Sequence, residues 1–240
     1  MRPVERSPRP RALSLLSEGE ITVRGRLPWS SNGTFLVELC RGEETGRAVY
    51  KPLAGERPLW DYPPGLYRRE VAAYVVSEWL GWGVVPETVE RDGPLGEGSL
   101  QRWVDADFGE HYFTLLERPE HHDALEAMCA LDVLINNGDR KSGHSLLDSD
   151  GRIWGIDHGL CLHEEPKLRT VIWDFEGRPV PDHLMEDVVR VATATSPPEG
   201  LAGLIARREI DALFARAAAL VRRPFFPAAR SARAFPWPLV

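Results

Sequence analysis

The sequence predicts an α+β fold with two lobes, the first rich in strands and the second mainly helical. Three observations carry this prediction: strand-type alternation dominates the first half, helical periodicity dominates the second half, and a β-hairpin pattern interrupts that second half. We expect four parts along the chain: a disordered basic tail at 1–12, an N-lobe at 13–104, a C-lobe at 105–222 and an irregular aromatic and proline-rich tail at 223–240.

The N-lobe combines five strand patterns with one helix. The strands are predicted at residues 20–26, 34–40, 47–52, 84–89 and 98–104. Residues 66–80 carry an apolar stripe at helical spacing that includes Tyr67, Val71 and Tyr74, and glycines at 81 and 83 end this helix.

The C-lobe pattern is helical with one short β-hairpin. Helices are predicted at residues 119–136, 181–193 and 198–221, the last with a possible break near Gly203. Two β-prone segments, residues 145–147 and 152–156, flank the turn sequence Asp148-Ser149-Asp150-Gly151. They predict a hairpin inside the helical lobe.

Composition excludes several classes of protein. The chain has 240 residues, of which 43% are hydrophobic and 27% are charged, so it can bury a substantial core. Its net charge of −7 disfavours a nucleic-acid partner or an anionic membrane surface. The three cysteines have no CxxC spacing, and neither a membrane-length apolar run nor a signal-peptide core occurs. We therefore expect a cytoplasmic protein without stable membrane insertion.

Residues 132–159 hold the most chemical information. Asp139 ends the helical run, His144 follows five residues later, and the hairpin then delivers Asp157. Phosphoryl transfer needs one carboxylate to orient the acceptor hydroxyl and another to hold a divalent ion on the phosphates. A tight hairpin keeps both carboxylates on one rim. The spacing therefore predicts a catalytic loop at Asp139 and a metal loop at Asp157.

Short sequence blocks carry a resemblance to a known family. Residues 132–145 resemble an Asp-led helix that runs into an Asn-x-Asp-Arg catalytic loop, residues 157–160 resemble an Asp-x-Gly-Leu metal loop, and residues 98–104 resemble a hinge strand. The chain thus looks like the phosphatidylinositol 3-/4-kinase-related superfamily, especially the type II phosphatidylinositol 4-kinase branch and its small actinobacterial relatives. The resemblance implies a protein-kinase-like fold, with ATP and Mg²⁺ or Mn²⁺ in the cleft between the lobes.

The resemblance also implies roles for individual residues. Asp139 would orient the attacking hydroxyl, Arg140 would neutralise the transferring phosphate, and Asp157 would ligate the metal. The hinge residues expected to contact the nucleotide are Gln101, Trp103 and Val104. Structural alternatives stay open for both acids, because residues 137–139 form a good turn sequence by themselves and an Asp after a strand can stabilise a tight turn.

Lys51 and Glu70 are the candidate ion pair on the ATP phosphates. Lys51 ends a predicted strand, and Glu70 lies 19 residues later in the first turn of the next helix, as that pair requires. The alternative is an exposed strand lysine and a glutamate favoured by the helix dipole, and Glu78 and a loop acid compete with Glu70 as the partner of Lys51. Lysine occurs only at positions 51, 141 and 167 among abundant arginines, which favours a functional role for Lys51.

Two features depart from the pattern of the resembling kinases. In place of a GxGxxG loop, Ser30, Ser31 and Asn32 lie between two predicted strands, where hydroxyl and backbone N–H groups can hold phosphate oxygens. His144 stands where the related kinases have asparagine. Its imidazole can ligate a divalent ion, although it suits Mg²⁺ less well than an amide oxygen does, or it can order the loop through hydrogen bonds.

The function predicted from the sequence is transfer of the γ-phosphoryl group of ATP to a hydroxyl of a small molecule, protein or lipid. Two alternatives stay open: a pseudokinase that binds nucleotide and regulates a partner, and a relative that transfers AMP. A zinc hydrolase is disfavoured, because the sequence contains neither HExxH nor paired Cys/His spacing.

Overall fold

The protein divides into two compact units. The structure, a computed structural model, describes residues 9–28, 30, 32–229 and 231–239, with only the backbone at Arg9 and Ala232. Of the described residues, the first unit contains those up to Val71 together with Pro86–Trp103, and the second contains Ala72–Val85 and those from Val104 onward. The predicted α+β class is confirmed: a strand-rich part precedes a helical part that contains a β-hairpin.

The first unit is built on a five-stranded antiparallel sheet in the order β1-β2-β3-β5-β4. Its strands are β1 Glu20–Arg26, β2 Phe35–Arg41, β3 Glu44–Pro52, β4 Thr88–Gly93 and β5 Gly96–Arg102. Val37 pairs with Ala48 and Tyr50 pairs with Leu100, so these side chains share one face and form a buried core. Strand β4 begins later than predicted because the apolar residues Val84 and Val85 are buried in the second unit, outside any strand.

Helix α1, Arg9–Glu18, packs against this sheet. It begins inside the segment 1–12 that was predicted to be a disordered tail; residues 1–8 of that segment lie outside the described residues. Leu16 is buried in the sheet core, and the Arg91 guanidinium donates hydrogen bonds to the carbonyls of Leu16 and Gly19 at 2.9 and 2.7 Å. An arginine therefore satisfies backbone acceptors at the C-terminal end of the helix.

Helix α2, Leu66–Leu80, has the predicted bounds and passes from the first unit into the second after Val71. Its start is fixed by Glu56, whose carboxylate accepts hydrogen bonds from the N–H groups of Gly65 and Tyr67, both at 2.8 Å. A carboxylate at this end satisfies first-turn donors and complements the helix dipole.

Among the described residues, the second unit contains five further α-helices and the hairpin. They are α3 Tyr112–Leu116, α4 His122–Ile135, β6 Ser145–Leu147, β7 Ile153–Gly155, α5 Asp182–Ala192, α6 Leu201–Leu204 and α7 Arg207–Arg222. Helix α5 packs against α7, and Arg216 of α7 donates to the carbonyl of Leu134 at 2.7 Å near the end of α4. The break predicted near Gly203 in the helix at 198–221 is found between α6 and α7, whereas α3 was not predicted.

The C-terminal segment, residues 231–239, packs on the loop that follows α4. The backbone N–H of Ser142 donates to the carbonyl of Leu239 at 2.9 Å, and that of Thr170 donates to Ala234 at 3.0 Å. The Trp173 ring contacts Phe235 edge to face, with centroids 6.3 Å apart. The aromatic tail is therefore part of the folded second unit over these residues.

No helix in the part of the chain that the structure describes combines the length and the apolar character needed to cross a bilayer.

Truncation after residue 229 should destabilise the second unit. It removes the carbonyls that accept hydrogen bonds from Ser142 and Thr170, and it removes the ring that covers Trp173. We expect a lower melting temperature and faster amide exchange at Ser142 and Thr170. A shorter truncation after Phe235 keeps the contacts of Ala234 and Phe235 and should lower the melting temperature less. If both truncated proteins melt at the temperature of the full chain, the C-terminal segment does not stabilise the second unit.

Candidate active site

The candidate catalytic loop begins where helix α4 ends. Asn136 has a φ of 53° in the left-handed region, which terminates the helix, and its side-chain amide donates to two backbone carbonyls at 2.9 and 2.7 Å. Asn137 donates through Nδ2 to Oδ1 of Asp132 at 2.9 Å and accepts the N–H of Asp139 at 3.1 Å. The two asparagines thus fix the backbone that presents Asp139.

The segment 139–142 is extended at its centre, and its side chains alternate in exposure. Arg140 forms a parallel bridge with Thr170. The side chains of Asp139 and Lys141 are 26% and 24% exposed, whereas Arg140 and Ser142 are fully buried. Successive side chains of an extended chain point to opposite sides. Asp139 and Arg140 therefore face different surroundings.

Asp139 lies in an environment that disfavours its charge. Burial raises the pKa of its carboxyl above the ordinary value; Lys141, whose Nζ lies 3.3 Å from Oδ2, opposes this rise, and the Asp157 carboxylate reinforces it. A carboxylate with a raised pKa is a stronger proton acceptor. Such a group suits the orientation of an attacking hydroxyl.

His144 and Asp157 come together in the second unit. Nε2 of His144 lies 3.4 Å from Oδ2 of Asp157. Nδ1 lies 3.1 Å from the carbonyl oxygen of Asp139 and 3.4 Å from the N–H of Lys141. Since the carbonyl can only accept and its contact is shorter, we assign the proton to Nδ1. In the neutral ring the lone pair that a metal would take is then on Nε2, the atom that faces Asp157.

The pair fits a shared divalent ion. Two ligand atoms at about 2.0–2.2 Å from one ion, at right-angled to tetrahedral geometry, lie roughly 3–3.5 Å apart. No cluster of three or more His, Cys, Asp or Glu side chains suited to a metal occurs among the described residues. Two protein ligands are ordinary for an ion that is held jointly by protein and substrate phosphates, because Mg²⁺ keeps several waters and takes few protein ligands.

Asp157 itself has an unusual backbone conformation. Its φ is 59°, in the left-handed region that few residues except glycine, asparagine and aspartate adopt. Its side chain is 49% exposed, while the next residue, His158, is fully buried. The turn therefore directs a carboxylate outward and an imidazole inward.

Arg140 is not placed to act on a transferring phosphate. Its Nε and Nη2 donate to the two carboxylate oxygens of Asp132, each at 2.9 Å. Nη1 donates to the carbonyls of His144 and Ile156, each at 3.0 Å, and Nη2 also donates to Nε2 of His158 at 2.6 Å. These five contacts use all five N–H donors of a guanidinium. The prediction that Arg140 neutralises the transferring phosphate is therefore corrected: the side chain is fully buried and holds the surrounding loops.

The first unit brings Lys51 and Glu70 together. The Lys51 ammonium donates to the Glu70 carboxylate, whose side chain is only 3% exposed, against 23% for Lys51. A charged carboxylate this deeply buried is costly unless it is paired, and the Lys51 ammonium supplies such a pairing. Lys51 also pairs with Ser99 across β3 and β5, which fixes its strand position.

The candidate phosphate loop is anchored to the segment after β3. Gly33 donates through its N–H to the carbonyl of Gly55 at 2.7 Å, and a Cβ on Gly55 would lie only 2.5 Å from the Gly33 carbonyl oxygen. The hydroxyls of Ser30 and Thr34 form a hydrogen bond at 2.7 Å, and Oδ1 of Asn32 accepts a hydrogen bond from the N–H of Arg57 at 3.0 Å. Ser31, the third predicted loop residue, lies outside the described residues.

The predicted hinge residues are placed at the unit boundary along the chain. Nε2 of Gln101 donates to the Thr88 hydroxyl at 2.9 Å, and the N–H of Trp103 donates to the carbonyl of Arg47 at 3.0 Å. Val104, the first residue of the second unit after the crossing, packs with Leu146 and Trp154. Because Nε2 of Gln101 and the N–H of Trp103 already donate to protein atoms, any contact of these residues with a nucleotide would involve other atoms of theirs.

Two residues of the site were not assigned a role from the sequence. Asp132 entered the prediction only as the first residue of the block 132–145, and His158 was given no role. A signal was present: an aspartate at a helical interval among Met128, Cys129 and Ile135 occupies a core position and needs a buried partner. The sequence did not identify that partner as Arg140.

The first unit pairs a lysine of its five-stranded sheet with a glutamate of helix α2, and the helical second unit has two acid-bearing loops. These features are those of a kinase-like protein. The chain belongs to the phosphatidylinositol 3- and 4-kinase family, whose sequence pattern matches residues 65–210. The family resemblance predicted from the sequence is thereby confirmed.

Relatives extend this assignment. Protein Rv2133c of Mycobacterium tuberculosis (strain ATCC 25618 / H37Rv) is 44% identical over 261 aligned positions that cover 94% of each chain. Phosphatidylinositol 4-kinase gamma 4 of Oryza sativa subsp. japonica is 28% identical over 185 positions, covering 60% of this chain but only 31% of that relative.

Solved structures confirm the protein-kinase-like fold. The Helicobacter pylori proinflammatory kinase CtkA has a TM-score of 0.51 at 13% identity, over 91% of this chain and 97% of that one. Hydra Fam20 with sugar has a TM-score of 0.60 at 13% identity, over 88% and 87%. At such identity the likeness concerns the fold alone.

Asp139→Asn should stabilise the protein in the absence of metal. The raised pKa means that the folded state favours the neutral carboxyl, so the ionised form costs stability once the pH exceeds the unfolded value of ~3.9. An amide removes that cost and the repulsion from Asp157. We expect a melting temperature a few degrees higher at pH 7, at about 2–4 °C per kcal/mol, and a smaller gain towards pH 4.

The matched control is Asp150→Asn in the exposed turn of the hairpin, which should change the melting temperature much less. A lower melting temperature for Asp139→Asn at pH 7, with Asp150→Asn unchanged, would show that the charged carboxylate stabilises the metal-free loop, contrary to this prediction.

Proposed function

We propose that the protein is an ATP-dependent phosphotransferase that moves the γ-phosphoryl group to a hydroxyl of an acceptor. The observation that carries the proposal is the convergence of Asp139, His144 and Asp157: the Asp139 carbonyl meets Nδ1 of His144, and Nε2 of His144 lies 3.4 Å from Asp157. A proton acceptor thus stands beside a pair of ligands suited to a divalent ion. Membership of the phosphatidylinositol 3- and 4-kinase family supports this proposal.

Asp139 acts on the acceptor. Its carboxylate accepts a hydrogen bond from the attacking hydroxyl and takes the proton as the new phosphorus–oxygen bond forms. The bond between the γ-phosphorus and the bridging β-phosphate oxygen breaks, and ADP leaves. Burial raises the pKa of Asp139, which strengthens it as the proton acceptor.

His144 and Asp157 would hold the divalent ion, and Lys51 would contact the ATP phosphates. A bound Mg²⁺ or Mn²⁺ would supply positive charge that offsets the negative charge developing on the phosphate oxygens. Glu70 holds the Lys51 ammonium in place. Ser30, Ser31 and Asn32, with Gln101, Trp103 and Val104, are the remaining proposed nucleotide contacts, and catalysis is mainly positioning and electrostatics.

The acceptor is left at its chemical class, a hydroxyl of a small molecule, protein or lipid. The rice relative is named a phosphatidylinositol 4-kinase, which makes an inositol lipid one acceptor to test, although this chain covers 31% of that protein. We retain the cytoplasm as the proposed location. AMP transfer and nucleotide binding without turnover are outcomes that the following experiment distinguishes.

ATP with Mg²⁺ or Mn²⁺ should raise the melting temperature and be converted to ADP. Asp157→Asn should reduce the metal-dependent shift, because a ligand loses its charge. Asp139→Asn should keep the shift but lower turnover by roughly a hundredfold or more, the usual contribution of a positioned proton acceptor. Differential scanning fluorimetry measures the shift, and mass spectrometry of nucleotides and candidate acceptors measures the products.

Each alternative has its own result. AMP attached to an acceptor with release of pyrophosphate would identify AMP transfer, and a thermal shift without any product would identify a pseudokinase. No shift with ATP, at millimolar concentration and with either metal, would reject nucleotide binding altogether. If Asp139→Asn abolishes the shift and Asp157→Asn does not, the two roles are reversed.

His144→Asn should move the metal preference. Imidazole suits Mn²⁺ better than Mg²⁺, so the wild type should prefer Mn²⁺. An asparagine supplies an amide oxygen and should shift the preference towards Mg²⁺ with activity retained, whereas His144→Ala should lose activity. Activity titrations with each metal measure the preference; the same preference in all three proteins would make His144 a loop-ordering residue only.

A further inference from the structure

Arg140 contacts the backbone on each side of the candidate metal ligands. Its Nη1 holds the carbonyl of His144 and the carbonyl of Ile156, the residue directly before Asp157. Its Nη2 holds the ring of His158, the residue directly after Asp157. The side chain is fully buried, and it is anchored by two hydrogen bonds on Asp132 in the last turns of α4.

We propose that Arg140 is a positioning residue that sets the distance between the two metal ligands. The guanidinium ties the backbone of His144 to the residues on both sides of Asp157, and so holds Asp157 in its left-handed conformation. This inference rests on the proposed function, because it concerns the ion that His144 and Asp157 would share. It assigns to Arg140, Asp132 and His158 a role in metal affinity, with none of them touching the metal.

The backbone geometry around Asp157 supports this role. Its φ of 59° is an unfavourable conformation for a residue with a side chain, so neighbouring contacts must hold it. The N–H of Ile156 donates to the His144 carbonyl at 3.0 Å, and Arg140 donates to that same oxygen and to the Ile156 carbonyl. Rotation at Asp157 would separate Arg140 from either the Ile156 carbonyl or the His158 ring.

The chemistry of the contacts requires an arginine. A guanidinium has five donors in a fixed plane, which can serve a carboxylate, two carbonyls and a ring nitrogen together. An ammonium has three donors at one point. Because arginine only donates, Nε2 of His158 must accept, so the ring proton lies on Nδ1 and the imidazole is neutral.

Gly155 supports the interpretation independently. A Cβ at this position would lie 3.3 Å from Nη2 of Arg140 and 3.5 Å from Cε1 of His158. The first separation is tighter than ordinary van der Waals contact. Strand β7 therefore carries a residue without a side chain where the guanidinium and the imidazole meet.

The test is Mn²⁺ binding, measured by electron paramagnetic resonance titration of the whole protein with a non-hydrolysable ATP analogue present. Arg140→Lys keeps the positive charge beside Asp132 but cannot hold both carbonyls and the ring. We expect its Kd for Mn²⁺ to rise about 10–100-fold, the usual effect of losing a residue that orients a metal ligand. The melting temperature and near-ultraviolet circular dichroism report whether the variant is folded.

The matched control is Arg190→Lys. Arg190 also donates to two backbone carbonyls, of Trp79 at 2.8 Å and Leu80 at 3.2 Å, and to the Asp187 carboxylate at 2.7 Å. It belongs to the same unit but has none of its contacts in the loops at 139–145 or 156–159. We expect Arg190→Lys to lower the melting temperature and leave the Mn²⁺ Kd unchanged.

A second variant covers failure of Arg140→Lys to fold. Asp132→Asn keeps the shape of the anchor, removes its charge and places an amide N–H₂ or a single oxygen against the guanidinium; it should also weaken Mn²⁺ binding. A folded Arg140→Lys or Asp132→Asn protein with the wild-type Kd overturns the inference and leaves the proposed function intact. If the wild type binds no Mn²⁺ with the ATP analogue, the proposed function itself fails, and this inference with it.

Discussion

The buried ion pair of Asp132 and Arg140 is the interaction on which the candidate catalytic and metal loops depend. The two side chains are 1% and 0% exposed. Taking two charges out of water costs several kcal/mol for each ion, and their attraction offsets this only with good geometry and further hydrogen bonds. Here the carboxylate receives two donors of the guanidinium and one of Asn137, and the remaining arginine donors meet two carbonyls and a ring nitrogen. Loss of one partner would cost about 3–5 kcal/mol, a large part of the ~5–15 kcal/mol that stabilises a typical domain.

Arg140 also connects the loop that carries Asp139 to the loop that carries Asp157, through its contact with His158. Arg140 is adjacent to Asp139, and His158 is adjacent to Asp157, so the contact between the inner residues sets the placement of the outer ones. In both dipeptides the first side chain is partly or largely exposed and the second is fully buried. In each dipeptide the aspartate places a carboxylate at the surface, and the residue after it forms buried hydrogen bonds that hold the backbone.

Much of the fold could be predicted from the sequence where local signals were strong. Helix α2 and the hairpin strand β6 have the predicted bounds, because an apolar stripe ended by glycine and a strand bounded by an Asp/Gly turn are local signals. Helix α1 was missed because the arginines and prolines before it suggested a tail, whereas burial of Leu16 on the sheet is a tertiary effect. Likewise, the apolar residues at 84 and 85 indicated a strand, although they serve the core of the second unit.

The candidate site was predictable in its residue types more than in their contacts. The acids and Lys51 followed from spacing and from lysine scarcity, and Lys51 meets Glu70 as expected. The direction of Arg140 did not follow from its position beside Asp139, although alternation in an extended segment excludes a shared direction for both side chains. No sequence spacing reveals that Asp132, seven residues before Asp139, anchors the loop through its ion pair with Arg140.

The charges around Asp139 give a physical reason why a cation at the proposed metal site would be favourable. Asp139 is partly buried near Asp157, and both its burial and that neighbour raise its pKa, so the metal-free arrangement is electrostatically unfavourable. The fixed network uses an arginine, whereas the cations that pair directly with Asp139 and Glu70 are lysines, Lys141 and Lys51; Arg169 has a smaller effect on Asp139 than Lys141 has. An ammonium on a flexible stem can exchange a carboxylate for a phosphate, whereas a guanidinium held by five hydrogen bonds cannot. The hydrogen-bond network of Arg140 would stay fixed while Lys51 and Lys141 change partners. In the proposed function, a cation and phosphates would therefore bind without disturbing the backbone that positions Asp139 and Asp157.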